Sequence, residues 1–242
     1  MAPTRVATRQ RRGAAMSGRL ATLRAERAAS VDTLRRVGPD APTLCGDWTA
    51  ADVAAHLRLQ DQGRGVPILL TAPLGLALLR AGVRLPSSFA ARMEARHEEV
   101  LETPWDELCD RLATGPPAAV ALPVFWALRL HENWIHHEDV RRADGSGPRP
   151  SDDVVGDALW AALAWYGAYQ RKVLAGVDLV VRRSDAGGAE RRLGDASGER
   201  VTVTGPPGEI ALVVAGRARA SHADIEGPDE AVARLTGPGV TM

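Results

Sequence analysis

His131-Glu132-Asn133-Trp134-Ile135-His136-His137-Glu138-Asp139 is the stretch on which the fold turns. At about 100° of rotation per residue, a helix here puts Phe125, Leu128, Glu132, Ile135, His136 and Asp139 into one stripe roughly 100° wide. Phe125 and Leu128 mark that stripe as inward-facing, so it also turns three ionisable groups toward the core. Burying a charge is costly unless it is paired or binds a metal, so these groups need a shared reason. Glu132 and His136 are one turn apart and can converge on a single ion. His137 lies about 100° further round and aims elsewhere.

A third ligand comes from an upstream helix, where Val53, His56, Leu57 and Gln60 share a face. Helical bundles build metal sites from facing helices. His56, Glu132 and His136 make a three-ligand set with one open position, the pattern of a catalytic rather than a closed structural site. The plainer alternatives are a surface pair between Glu132 and His136 and an ion pair between Asp139 and Arg142. His97-Glu98-Glu99 reads as a solvated face and His222 as a surface residue. Trp105, Trp126, Trp134, Trp160 and Trp165 read as core, and Trp48 as a packing anchor.

Outward from these segments the chain is helical over most of its length. A first helix is expected over 17–37, ended by Gly38-Pro39. A second follows Thr49, whose N-cap role is completed by Asp52 three positions on. A third runs from Ser87 or Ser88 to Leu112, a fourth over 123–142 and a fifth over 152–174. The Pro-containing apolar run 66–79 reads as buried core or a loop flap, being too broken for a membrane span. From Val177 the pattern changes to short β-type runs, Leu179-Val180-Val181 and Val201-Thr202-Val203, between Gly, Asp and Ser clusters. Pro207–Val214 suits a short helix or a strand, and Asp229–Leu235 a short helix. The expected organisation is a disordered basic tail (1–16), a metal-binding helical bundle (17–175) and a small α+β domain (176–242), with Met16 an alternative start.

The 242 residues carry 30 basic and 30 acidic side chains, a formal net charge of +0. That balance leaves no electrostatic footprint for nucleic acid or an anionic membrane. Lys172 is the only lysine, and arginine with abundant alanine marks a GC-rich coding sequence. Cys45 and Cys109 are too few for a disulfide framework and read as reduced thiols of a cytoplasmic protein, outside the metal constellation.

Thr43-Leu44-Cys45-Gly46-Asp47-Trp48-Thr49, leading to Val53-Ala54-Ala55-His56-Leu57, resembles the first metal motif of the DinB-like, mycothiol-dependent maleylpyruvate isomerase superfamily. Glu132-Asn133-Trp134-Ile135-His136-His137-Glu138-Asp139 resembles its second, Glu-x-x-x-His-His-x-Asp, and looks closer to an actinobacterial branch than to the characterised isomerases. Val203–Glu209 with Ala215-Gly216-Arg217 is similar to the small C-terminal domain of many members. The resemblance implies a mainly α fold, a four-helix bundle with one long crossover followed by that small domain. It implies a divalent metal ion, zinc first, on His56, Glu132 and His136, and mycothiol as the thiol that the metal activates. Asp139 then orients a ligand or metal-bound water, and Arg217 is a candidate for an anionic substrate or the polar groups of the thiol.

The function expected is a metal- and thiol-dependent isomerase or S-transferase acting on a small electrophile, as a monomer or homodimer, with neither nucleic acid nor membrane as partner. A metal- or ligand-binding regulator without catalysis is the alternative on the same scaffold.

Overall fold

The computed structural model describes residues 5–62, 87–122, 125–169 and 174–237. Eight α-helices and four strands lie among them: α1 Arg5–Val37, α2 Ala50–Asp61, α3 Ser87–Leu101, α4 Trp105–Ala113, α5 Trp126–Ala143, α6 Asp153–Tyr169, α7 Pro207–Val214 and α8 Asp229–Thr236, with β1 Val177–Arg183, β2 Glu190–Arg192, β3 Glu199–Gly205 and β4 Asp224–Glu226. The fold is mainly α with a small C-terminal sheet, as expected. The apolar run 66–79 lies outside the described residues.

Local chemistry explains most boundaries. Thr49 caps α2, its hydroxyl accepting from Asp52 N–H while the Asp52 carboxylate accepts from Thr49 N–H at 2.8 Å, the reciprocal capping box read from sequence. The single helix expected over 88–112 is instead two, α3 and α4. Pro104 has no N–H to donate and disfavours helical backbone at Thr103, so the chain restarts there. At the other end α1 already begins at Arg5 rather than Ser17, since Arg and Ala are good helix formers and no proline interrupts them.

α5 is the central helix. It packs between α1 and α6 and is also reached by α2, while α3 and α4 lie on α2 and α1 within the long connection from α2 to α5. Almost everything from Leu128 to Val140 is buried, including His131, Asn133, His137 and Glu138. All of these but His131 are matched. Asn133 donates to the Arg129 carbonyl and accepts from Arg27, and Glu138 accepts from Arg141, Arg142 and Arg149. His137 meets Glu26 through Nδ1 (2.9 Å) and Thr33 through Nε2 (2.9 Å). Arg149 also closes on Glu26, and Arg142 on Glu209 of α7.

The sheet runs in the order β2-β1-β3-β4, with β1 and β3 parallel and both outer strands antiparallel. Its inner face joins the bundle. Trp134 and Ile135 of α5 and Leu159 and Leu163 of α6 share one apolar core with Leu179 and Val181 of β1, Val203 of β3 and Ile210 of α7. Among the described residues no helix is long and apolar enough to cross a membrane.

Candidate metal centre

The site forms where α2 crosses α5. His56 sits one turn before the end of α2, and Glu132 and His136 sit one turn apart on α5. Oε2 of Glu132 lies 3.5 Å from Nε2 of His56 and 3.8 Å from Nε2 of His136. One ligand atom from each of the three falls within 4.8 Å of the other two, so the donor set can hold one ion. The two imidazoles meet edge to face, with centroids 4.8 Å apart. His136 is buried, while His56 and Glu132 keep about a quarter to a fifth of their side-chain surface open (26% and 21%), so the cluster faces outward on one side.

Electrostatics favours the ligand forms. Burial lowers the His56 imidazole from its ordinary value against the opposing pull of Glu132, keeping it neutral. Burial would raise the Glu132 carboxyl, but hydrogen bonding to His56 and the nearby His136 push it well below the ordinary carboxylate range. A neutral imidazole and an ionised carboxylate are what a divalent ion requires.

Around these three stand further groups. Gln60, one turn beyond His56, donates to Oε2 of Glu132 at 2.7 Å and lies 2.6 Å from Nε2 of His56, while its carbonyl accepts from Arg129. Arg129 and Arg27 both pair with buried Asp61. The Tyr166 hydroxyl, from α6, donates to Oε1 of Glu132. Nδ1 of His136 meets Oδ2 of Asp139 at 3.0 Å, the carboxylate–imidazole contact that fixes a ligand histidine's tautomer and ring plane. Asp139 is in turn gripped by Arg217, whose Nε and Nη2 each donate to one of its oxygens at 2.8 Å. Burial opposes ionisation of Asp139, and His136 and Arg217 overcome it.

Arg217 is almost fully buried and its guanidinium also donates to the Ala215 carbonyl, so it faces Asp139 rather than solvent. Arg142, the alternative partner for Asp139, is committed to Glu138 and Glu209. His97 is half-buried rather than solvated: it lies 3.0 Å from Asp52 and stacks on Trp48. Trp48 also contacts the rings of His56 (5.2 Å) and His136 (6.1 Å), so it is a wall of the site and not only an anchor.

Cys45 corrects the sequence reading. Its sulfur is not outside the constellation: it lies within 4.8 Å of ligand atoms of His136 and Asp139. The 42–49 loop places it there. Thr43 Oγ1 donates to the Trp48 carbonyl at 2.8 Å and accepts from Cys45 N–H at 3.1 Å, and Leu44 N–H donates to the Asp139 carbonyl at 3.1 Å. Cys45, His136 and Asp139 nonetheless make a poor second cation site, because the Arg217 guanidinium already neutralises Asp139. Burial raises the Cys45 thiol, against the opposing charge of Arg217, so it stays protonated.

Gln60 shares the His56 face in sequence, and its four-residue spacing was the available signal for its part in the site. Tyr166 carried no local signal, since its contact with Glu132 depends on how α6 packs on α5.

A mycothiol-dependent maleylpyruvate isomerase has a crystal structure that aligns over 87% of this chain and 92% of its own, with a TM-score of 0.54 and 18% identity. In fold, this chain is similar to that enzyme. At such identity the likeness speaks for the fold alone. No family model matches the sequence, and no curated protein matches it.

Proposed function

We propose that the protein is a metal-dependent enzyme that uses a small thiol, either transferring it to a small electrophile or employing it in cis–trans isomerisation. The observation that carries this reading is the convergence of His56, Glu132 and His136 on one partly open point, backed by the Asp139 contact to His136. Two imidazoles and one carboxylate suit zinc first among divalent ions and leave a coordination position free. A thiol bound to such an ion is deprotonated at neutral pH and becomes a strong nucleophile.

The chain's own residues do the rest. Asp139 holds His136 in the tautomer that presents Nε2, and Arg217 holds Asp139, acting as a positioning residue rather than as an anchor for substrate. Trp48, with His97 stacked on it, shields the ligand rings from one side. Burial raises the Cys45 thiol, which favours an external thiol over this cysteine as the nucleophile. The fold likeness to a mycothiol-dependent isomerase supports mycothiol as the thiol to try first.

Protein purified without chelator is expected to carry close to one zinc-type ion per chain by elemental mass spectrometry. It should form a thiol adduct or an isomerised product with an activated alkene such as maleylpyruvate. Glu132→Gln and His136→Ala should lose both metal and turnover while keeping helical circular dichroism. Metal-free wild-type protein that cannot be loaded with zinc, cobalt or nickel refutes the reading.

A further inference from the structure

The Glu132 carboxylate has two oxygens with different surroundings. Oε2 faces His56, His136 and Gln60, whereas Oε1 accepts from the Tyr166 hydroxyl. Tyr166 is buried, and its ring is stacked on His131 with centroids 3.7 Å apart and planes 18° from parallel. His131 is itself fully buried, and neither of its ring nitrogens has a hydrogen-bond partner among the described residues. A buried imidazole without partners is costly, so its retained contact is the flat face it offers to the phenol.

We propose that Tyr166, plated in place by His131, is a positioning residue of the metal centre that restricts Glu132 to one ligand oxygen. The inference rests on the metal-centre reading above. Its chemistry is simple. A carboxylate whose Oε1 is held by a phenol O–H presents Oε2 alone to an ion shared with His56 and His136. Without that hydrogen bond the carboxylate is free to rotate and offer both oxygens, which fills the coordination position that a thiol needs. Outer partners of ligating side chains carry this kind of control elsewhere, at roughly 10–100-fold in affinity or activity. His131 supplies stiffness: stacked against the ring, it stops the phenol from swinging away from Oε1.

The test is cobalt(II) titration of the full chain, read by visible d–d absorption and by competition with a chromogenic chelator. The wild type is expected to give an intense four-coordinate spectrum. Tyr166→Phe keeps the ring and the stack but removes the hydrogen bond. It should weaken and shift the d–d bands toward five-coordination, change cobalt affinity about tenfold, and depress kcat more than KM. His131→Phe keeps the stacking face and should leave the spectrum as in the wild type, whereas His131→Ala should move it toward that of Tyr166→Phe. A Tyr166→Phe protein with wild-type spectrum and affinity overturns the inference while leaving the metal centre standing. A wild-type protein that takes up no cobalt overturns both.

Discussion

Arg217 and Asp139 bury opposite charges against each other, with Arg217 in the C-terminal part and Asp139 on α5. Removing one partner of such a pair leaves the other charged without a counterion, typically at a cost of 3–5 kcal/mol. Arg217→Met is therefore expected to lower unfolding free energy by about 3 kcal/mol or more in urea titration, and a change below ~1 kcal/mol would show that water reaches Asp139. At this scale the sequence was partly legible. Glu132 and His136 could be paired from their four-residue spacing, because helix geometry alone brings them together. Cys45 could not be placed, since its position beside His136 depends on a loop fastened by Leu44 to the Asp139 carbonyl. Nor could the partner of Arg217, which lies 78 residues away along the chain.

Helix ends and helix contacts carry the next set of expectations. Thr49 starts α2 and also closes the loop that bears Cys45 and Trp48, through its pairing with Pro42. Thr49→Ala should cost about 1 kcal/mol and loosen metal binding slightly, because His56 sits two turns further on; an unchanged thermal midpoint would contradict this. Gly208 in α7 lies against Trp134 of α5, and a Cβ there would sit 2.6 Å from Cζ2 and 2.7 Å from Cη2 of the indole. Trp134 is buried and cannot swing aside, so Gly208→Ala should destabilise by roughly 1–3 kcal/mol, outweighing the roughly 0.5–1 kcal/mol by which alanine favours a helix. A raised melting temperature would argue against so close a fit. Helix identities were readable from periodicity and caps, and the α2 capping box came through in detail. The break at Pro104 went unread, since one helix was expected from Ser87 or Ser88 to Leu112, although a proline inside a helical stretch is a signal for such a break. The outer strands β2 and β4 have three residues each and carry too little alternation to be seen.

Across the whole molecule, charged residues do much of the joining. Glu26 of α1 meets His137 of α5 and Arg149 beyond it, while Glu138, Arg142 and Glu209 continue the chain of pairs to α7. Burial would raise the Glu26 carboxyl, but hydrogen bonds from His137 and Arg149 overcome it and hold it at about 2 against an ordinary 4.5. The folded state thus binds the Glu26 proton less readily than the unfolded chain. Its contribution, about 3 kcal/mol, is complete above pH 4.5 and is lost as pH falls toward 2. Urea titrations between pH 2 and pH 6 should show that slope, and Glu26→Gln should flatten it; an equal slope in both proteins would assign acid sensitivity elsewhere. Helix periodicity marks one stripe of α5 as buried, whereas the structure buries nearly the full circumference, because helices, loop and sheet surround it. That enclosure could not be read from α5 alone, since it depends on partners contributed from α1 to α7. It also bears on inheritance. With Asp139 on α5 answered by Arg217 beyond the sheet, the two parts of this chain are not interchangeable modules. A lineage that shed the C-terminal part would leave Asp139 without its counterion and with His136 as its remaining partner, so bundle-only descendants should be found with a new cation beside position 139 or a neutral side chain there.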